Sequence, residues 1–202
     1  ILFRSEAPYY ERPIKVFNKN EKIIITSRES KSENPNYFLR NTQTNGITRI
    51  TDFENPYKKL EQLKKEVINY KRDDGIDLSA EVYTLKSYDP EKEGRLPVLI
   101  WAYPREYTSK IVASQVRSSP YRFTRINYGS PIFWALRGYA VMASTEMPIV
   151  GFDGDQPNDS FRKQLVMNAK AAIDKIVDMG IGDRERVGVG GHSYGAFMTA
   201  NL

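Results

Sequence analysis

Five consecutive residues, Gly191-His192-Ser193-Tyr194-Gly195, have the types and spacing of a nucleophile turn. In this pattern a serine lies on a sharp connection between a strand and a helix, and its backbone is strained. A Cβ atom two residues to either side would clash with the neighbouring backbone, so glycine is needed at both places. The turn lifts the serine hydroxyl out of the sheet, where it can attack a carbonyl carbon. The pattern therefore predicts acyl-transfer chemistry with Ser193 as the nucleophile.

The residues on both sides of this turn indicate a strand before it and a helix after it. Residues 186–190 alternate valine with glycine after an arginine, which is typical of a short strand in a sheet. Residues 194–202 contain no proline, so a helix can begin at Tyr194. The N–H of Tyr194 is then expected to point at the oxyanion of a reacting carbonyl. An ordinary glycine-rich connection between strand and helix is the alternative interpretation.

The chain before this turn alternates strand and helix signals. In chain order the predicted elements are a hairpin at 66–71 and 77–85 around Asp73-Asp74-Gly75, a central strand at 97–103, a short helix from Ser130-Pro131 to Gly138, a strand at 139–143 and a helix at 160–179. The apolar run at 97–103 indicates a strand covered on both faces. Apolar residues three or four apart at 160–179 indicate an amphipathic helix on the sheet. Asn158 or Asp159 is its predicted cap, and Gly180 its end.

This order of elements is that of the first half of an α/β-hydrolase domain. Residues 58–202 are therefore predicted to form such a truncated catalytic domain, with parallel strands joined by right-handed crossovers. The predicted fold class is α/β, with this half domain following a smaller all-β region.

Residues 1–57 show a different pattern of predicted elements, with strands and no helices. Short strands are predicted at 22–26, 37–41 and 47–51, and the turns between them are polar. One of these turns contains Asn45-Gly46, a strong hairpin signal. Fewer than sixty residues cannot close a propeller or a sandwich, so the region is predicted to be the end of a larger all-β domain. The chain also begins without Met and ends inside a predicted helix, and we expect it to be a fragment of a longer protein.

Composition excludes several classes of function. The sequence has 202 residues, no cysteine and a formal net charge of +5. The absence of cysteine excludes disulfides and thiolate metal sites. The mild positive charge is spread along the chain and indicates a solvated surface, with no nucleic-acid partner predicted. No apolar run is long enough for a secretory signal or a membrane span.

The segment 153–159 begins like a calcium loop but is not predicted to bind metal. Pro157 occupies the third ligand position, and no glutamate closes the loop at the required distance. A turn that leads into the helix cap is the favoured interpretation. Neither a metal nor a cofactor is predicted for this chain.

Four segments resemble the prolyl oligopeptidase family of serine peptidases, and in particular its glutamyl endopeptidase branch. They are residues 70–75, 101–106, 138–141 and 190–198. The resemblance extends from about Lys22 to the last residue. It implies that an N-terminal β-propeller covers the mouth of the hydrolase domain and admits peptides, and that residues 1–57 are the C-terminal remnant of that propeller.

The resemblance also implies roles for three residues. Ser193 corresponds to the nucleophile, the N–H of Tyr194 to one oxyanion donor, and Tyr103 to the tyrosine whose hydroxyl is the second donor. A phenol at the end of a central strand can reach into the cleft. Pro104 and Arg105 follow Tyr103 where the family has two glycines. A tyrosine that merely ends a core strand is the alternative interpretation of Tyr103.

The remaining members of a catalytic triad are not found in the sequence. In α/β-hydrolases the aspartate and the histidine follow the serine in chain order, so both are expected beyond Leu202. His192 is the only histidine, and its side chain leaves the turn in a different direction from the Ser193 hydroxyl. We expect this chain alone to be inactive.

Four arginines are candidates for substrate binding. Arg117, Arg122 and Arg125 alternate with aromatic residues between the central strand and the next helix, and Arg105 follows the oxyanion tyrosine. A guanidinium at the cleft could hold the carboxylate of a glutamate side chain in two hydrogen bonds. Solvated surface arginines are the alternative.

The rival functions are an esterase or lipase, which rarely carries a propeller, and a non-catalytic binding module on the same fold.

Overall fold

The computed structural model describes residues 4–17, 22–115, 119–151 and 154–202. The chain forms two compact units. The first consists of Ile1–Glu61 and Ser119–Arg125, and the second of Gln62–Ser118 and Ile126–Leu202. Membership of residues 119–125 in the first unit was not predicted, because these residues are far in sequence from its strands.

The first unit contains a four-stranded antiparallel sheet in the order β1-β2-β3-β4. Its strands are β1 (Tyr10–Val16), β2 (Ile23–Glu29), β3 (Asn36–Asn41) and β4 (Ile47–Arg49). The turn between β3 and β4 holds Asn45 at a φ of 57°, the left-handed conformation that an Asn-Gly hairpin requires. The last three strands match the predictions, whereas β1 was missed. Its relation to a propeller stays a prediction.

The second unit contains a mixed five-stranded sheet and a small parallel pair of strands. The strands are β5 (Leu63–Lys71), β6 (Asp77–Leu85), β7 (Leu96–Ala102), β8 (Arg105–Tyr107), β9 (Ala140–Thr145), β10 (Pro148–Val150) and β11 (Gly182–Gly190). The large sheet has the order β11-β7-β9-β6-β5, and β8 pairs with β10. The strands β11, β7 and β9 are parallel, and β6 runs antiparallel to its neighbours. The predicted hairpin and parallel strands are present, and the β8–β10 pair is an addition.

Helical segments connect these strands. The α-helices are α1 (Pro90–Glu93), α2 (Lys110–Ala113), α3 (Phe161–Asp178) and α4 (Tyr194–Asn201), and the 3-10 helices are Lys58–Gln62, Pro131–Arg137 and Pro157–Ser160. The short helix predicted after Ser130 is thus a 3-10 helix, and it ends at Gly138 with a φ of 84°. None of the helices in the described ranges is long and apolar enough to cross a membrane.

The predicted cap of the long helix is wrong. Asn158 and Asp159 lie inside the 3-10 turn that precedes α3, and Ser160 is the residue before the first α-helical turn. Gln156 opens that turn, since its side chain and that of Asp159 each accept a backbone N–H from the other residue. The pattern of the sequence could not separate two consecutive helical turns, because Asn158, Asp159 and Ser160 are adjacent and all three residue types are favourable helix caps.

The core of the second unit lies between α3 and the large sheet. Leu165, Ala172 and Ile176 are fully buried on one side of α3, as their spacing predicted. They belong to one apolar cluster with residues of β7 and β9, including Ile100 and Met142. Burial along β7 alternates instead of being continuous. Every residue of β7 is nevertheless buried or half-buried, which agrees with the prediction of a central strand covered on both faces.

A buried arginine joins the β5–β6 hairpin to α3. The guanidinium of Arg72 donates to both carboxylate oxygens of Asp74 at 2.8 and 2.7 Å. It also donates to Asn168 Oδ1 at 2.9 Å, to Gln164 Oε1 at 3.2 Å and to the carbonyl oxygen of Pro148 at 3.1 Å. These bonds connect the hairpin, β10 and α3, the last two of which stand beside the candidate site.

Candidate active site

Ser193 occupies a strained turn between β11 and α4. Its φ of 56° and ψ of −117° lie outside the regions that side-chain-bearing residues ordinarily adopt. The turn is held by hydrogen bonds from the Gly195 N–H to the His192 carbonyl, 2.8 Å, and from the Ala196 N–H to the Ser193 carbonyl, 2.9 Å. The Ser193 side chain is exposed. A strained backbone thus presents a hydroxyl to solvent at the end of the sheet.

Two glycines make this turn possible by letting it pack on the end of β7. A Cβ atom at Gly191 would lie 2.5 Å from the Ala102 carbonyl oxygen, and one at Gly195 would lie closer still to the same atom. Both distances are far below van der Waals contact. The glycine spacing is therefore required by the approach of the turn to β7, as the sequence predicted.

The two expected oxyanion donors lie on either side of the contact between the serine turn and the end of β7. Tyr194 is the first residue of α4, so its N–H has no acceptor within the helix. Tyr103 directly follows β7, and its ring meets the Tyr194 ring edge-on at a centroid distance of 6.0 Å. About half of the Tyr103 surface is exposed (51%). The structure thus brings Ser193, Tyr194 and Tyr103 together at one end of the sheet.

The Tyr194 side chain is held by an aromatic group and a carboxylate. Its ring stacks on Phe161 at 5.5 Å and on Phe197 at 6.0 Å. Its hydroxyl donates to Glu106 Oε1 at 2.8 Å and lies 3.4 Å from Asn158 Oδ1. Burial, together with the hydrogen bond to Glu106, raises the pKa of Tyr194 to about 12. The phenol therefore stays protonated, and remains a donor, at neutral pH.

The sequence did not indicate Glu106. This residue lies on β8, a strand of three residues that carries no periodic pattern. The only available signal was its position three residues after Tyr103, within a segment already assigned to the site. Its partner Tyr194 lies 88 residues further along the chain.

A cleft of about 700 Å³ opens beside Tyr194. Its lining combines aromatic rings with charged and polar side chains, namely Glu106, Asn158, Asp159, Ser160, Phe161, Arg162, Lys163, Tyr194, Phe197 and Asn201. The volume suits a few amino-acid side chains. This cleft therefore offers apolar surface together with both signs of charge.

The four candidate arginines have different surroundings. Arg125 pairs with Glu29 at 2.7 Å, and Arg122 lies over the Tyr10 ring with its guanidinium 4.7 Å from the ring centroid, both within the first unit. Arg105 is the exposed first residue of β8, and its guanidinium has no ion pair or hydrogen bond with the described residues. Arg117 lies outside the described residues. Among the described candidates, Arg122 and Arg125 are therefore engaged by side chains of the first unit, whereas the Arg105 guanidinium is exposed on β8 of the second.

His192 and the segment 153–159 are the remaining sequence features that bear on a catalytic base and a metal site. His192 is exposed, immediately before Ser193. Asp153 lies outside the described residues, while residues 157–160 form the 3-10 turn before α3. Within the described ranges, no three His, Asp or Glu side chains are arranged to hold a metal ion.

Gly195→Ala is expected to destabilise the chain. The new Cβ would meet the Ala102 carbonyl, so either α4 or the end of β7 must shift. We expect the free energy of unfolding to fall by about 1–3 kcal/mol, as for other overpacked sites. Urea denaturation followed by circular dichroism measures this change. Gly188→Ala is the matched control, because a Cβ there would meet its nearest atoms at 3.9 Å. Equal stability of the two variants would contradict the packing described for the turn.

Comparison with known proteins relates the chain to peptidases. No family model matches it. Two probable chloroplastic glutamyl endopeptidases, from Oryza sativa subsp. japonica and from Arabidopsis thaliana, are each 46% identical to it over 179 residues. The match covers 89% of this chain and 19% of each relative. The chain thus spans about a fifth of the length of these relatives.

Solved structures of peptidases share the fold. Porphyromonas gingivalis dipeptidyl peptidase 4 matches with a TM-score of 0.64 and 18% identity, over 95% of this chain and 26% of that protein. Oligopeptidase B from Trypanosoma brucei matches with a TM-score of 0.56 and 12% identity, over 98% and 27%. The acylaminoacyl peptidase of Pyrococcus horikoshii matches with a TM-score of 0.57 and 17% identity, over 89% and 27%. At these identities the likeness concerns the fold.

Proposed function

This chain belongs to the prolyl oligopeptidase family, in the branch of the glutamyl endopeptidases, and on that premise we propose that it carries the nucleophile of a serine peptidase. The observation that supports this most directly is the backbone of Ser193. A residue with a side chain is held at φ 56° and ψ −117°, with its hydroxyl exposed, because two glycines let the turn pack on β7. Such strain costs on the order of 1–3 kcal/mol and typically persists at functional sites.

The proposed reaction proceeds through an acyl-enzyme. The Ser193 oxygen attacks the carbonyl carbon of the scissile peptide bond, and the carbonyl oxygen becomes negatively charged. The Tyr194 N–H and the Tyr103 hydroxyl donate hydrogen bonds to that oxygen. The amine then leaves with a proton, and water hydrolyses the ester on Ser193.

The proton on Ser193 needs a general base. A histidine oriented by an aspartate serves this role in α/β-hydrolases, and both follow the serine in chain order. The single histidine of this sequence precedes Ser193. We therefore assign the base and the aspartate to parts of the intact enzyme outside these 202 residues, and regard the chain as a portion of it.

Covalent labelling tests the proposal. A fluorophosphonate should label the full-length gene product that contains this chain, and mass spectrometry should locate the label on Ser193. Peptides, rather than small esters alone, should be hydrolysed. Labelling with hydrolysis of esters only would favour an esterase, and absence of any labelling would favour a non-catalytic module.

We further propose that cleavage follows glutamate and that Arg105 meets the glutamate side chain. The two plant relatives are probable glutamyl endopeptidases, which motivates this residue preference. A carboxylate that leaves water requires a cation. The Arg105 guanidinium is exposed and lacks a side-chain partner in the described chain, whereas Arg122 and Arg125 already contact Tyr10 and Glu29.

Arg105→Gln is expected to reduce the preference for glutamate over glutamine. Loss of the cation should cost on the order of 2–5 kcal/mol in transition-state binding of Glu substrates, and much less for Gln substrates. The measurement is the Glu-to-Gln ratio of kcat/KM on matched peptides. Arg122→Gln and Arg125→Gln serve as controls with unchanged ratios, and Arg117→Gln completes the series. A wild-type ratio in all four variants would remove these arginines from the specificity site.

A further inference from the structure

The segment after β7 is tied to the serine turn through one side chain, that of Tyr194. The Tyr194 ring meets the Tyr103 ring at 6.0 Å, and its hydroxyl donates to Glu106 at 2.8 Å. Tyr103 and Glu106 are three residues apart, at the end of β7 and in the middle of β8. One phenol therefore contacts both ends of a four-residue segment that also carries the expected oxyanion hydroxyl.

This segment has few ways to move independently. Pro104, its second residue, is buried and has a fixed φ. Glu106 is paired in register with Ile149 of β10. The hydrogen bond from Tyr194 to Glu106 closes the loop between β8 and α4. Removal of the Glu106 carboxylate would therefore allow Tyr103 and the first turn of α4 to shift relative to each other.

No other described side chain competes with the Tyr194 hydroxyl for the Glu106 carboxylate. Among the described residues it forms no ion pair, although it is exposed, and the Tyr194 hydroxyl is its side-chain partner. A hydrogen bond from a neutral phenol to a carboxylate is stronger than one between two neutral groups. Because the Tyr194 pKa is about 12, the donor proton is present at neutral pH.

We propose that Glu106 is a positioning residue that fixes the separation of the two oxyanion donors, the Tyr103 hydroxyl and the Tyr194 N–H, by holding the Tyr194 phenol. This proposal rests on the proposed function. Glu106 touches neither the substrate nor the reacting atoms in this role. It acts through Tyr194, and its effect is therefore expected in kcat rather than in substrate affinity.

The test compares five variants of the full-length gene product, one of which is a control. Glu106→Ala removes the acceptor and is expected to lower kcat by about 10- to 100-fold, because small misplacements of catalytic groups have effects of this size. KM should stay within about 2-fold, since contacts to the substrate are unchanged. Glu106→Gln keeps an acceptor oxygen and should recover most of the rate. Tyr194→Phe should resemble Glu106→Ala, and the double variant should be no slower than either single one. Glu185→Ala, an exposed glutamate on β11, is the control with unchanged kinetics.

The outcomes separate this role from the proposed function. Absence of fluorophosphonate labelling in the wild-type protein would overturn the peptidase itself. Labelling of the wild type together with an unchanged kcat in Glu106→Ala would overturn the positioning role alone. Additive losses in the double variant, or failure of Glu106→Gln to restore the rate, would also overturn it. Thermal melts of each variant identify any that fail to fold, and in that event the Gln and Phe variants decide.

Discussion

Ser193→Ala is expected to reduce kcat of the full-length gene product by about 10⁴- to 10⁶-fold, and to abolish its reaction with a fluorophosphonate. Alanine lacks the oxygen that forms the acyl-enzyme, so only stabilisation by the oxyanion donors and substrate binding remain. The substitution removes one exposed atom, so folding should be preserved. Steady-state hydrolysis of a peptide and labelling in a gel measure the two effects.

Ser144→Ala is the matched control for this variant. Ser144 is also an exposed serine with a positive φ, 50°, and it lies near the end of β9. It lacks the flanking glycines and the following helix of the nucleophile turn, so its replacement should leave labelling intact. Retention of full activity in Ser193→Ala would refute the proposed nucleophile, and loss of labelling in Ser144→Ala alone would move it to β9.

Arg72→Met is expected to lower the free energy of unfolding by about 3–5 kcal/mol, because it removes one partner of a buried ion pair. The Arg72 side chain has no solvent exposure, whereas that of Asp74 retains 22%. Methionine fills similar space but donates no hydrogen bond, so Asp74, Gln164 and Asn168 lose a donor. Urea denaturation measures the change.

The same variant has a pH signature. The hydrogen bond from Arg72 lowers the pKa of Asp74 below its ordinary value of 3.8. Because the pKa is lowered in the folded state, the stabilisation is fully present above the ordinary pKa of 3.8. It is lost as the pH falls through the lower pKa of the folded state. The difference in stability between wild type and Arg72→Met should therefore shrink in acid.

Arg184→Met provides the comparison for the buried arginine. Arg184 pairs with Asp174 at the surface, and its side chain is 51% exposed. Exposed pairs contribute about 0–1 kcal/mol, so this variant should unfold close to the wild type. Similar losses in both variants would show that removal of any arginine has this effect, which would contradict a specific role of burial.

Local sequence determined the nucleophile turn and most of the elements around it. The glycine spacing at 191 and 195 is a recognisable local signal, and part of its cause is local, because a Cβ at Gly191 would lie 2.6 Å from backbone atoms of Gly195. The clash at Gly195 is with the Ala102 carbonyl of the distant β7. The β5–β6 hairpin and the buried side of α3 were likewise predictable, because strand alternation and helical spacing are local properties. The resemblance added Tyr103, which the structure places against Tyr194.

Tertiary structure alone decided which polar side chains meet. Glu106 and Tyr194 come together because β8 and the start of α4 reach the same end of the sheet. Likewise, Arg125 pairs with Glu29 across 96 positions, so its charge is engaged in the first unit. A residue pattern records how one element faces its surroundings, whereas ion pairs and hydrogen bonds between distant segments depend on how the chain closes long loops. That closure is set by the packing of the whole core, which no short stretch of sequence encodes.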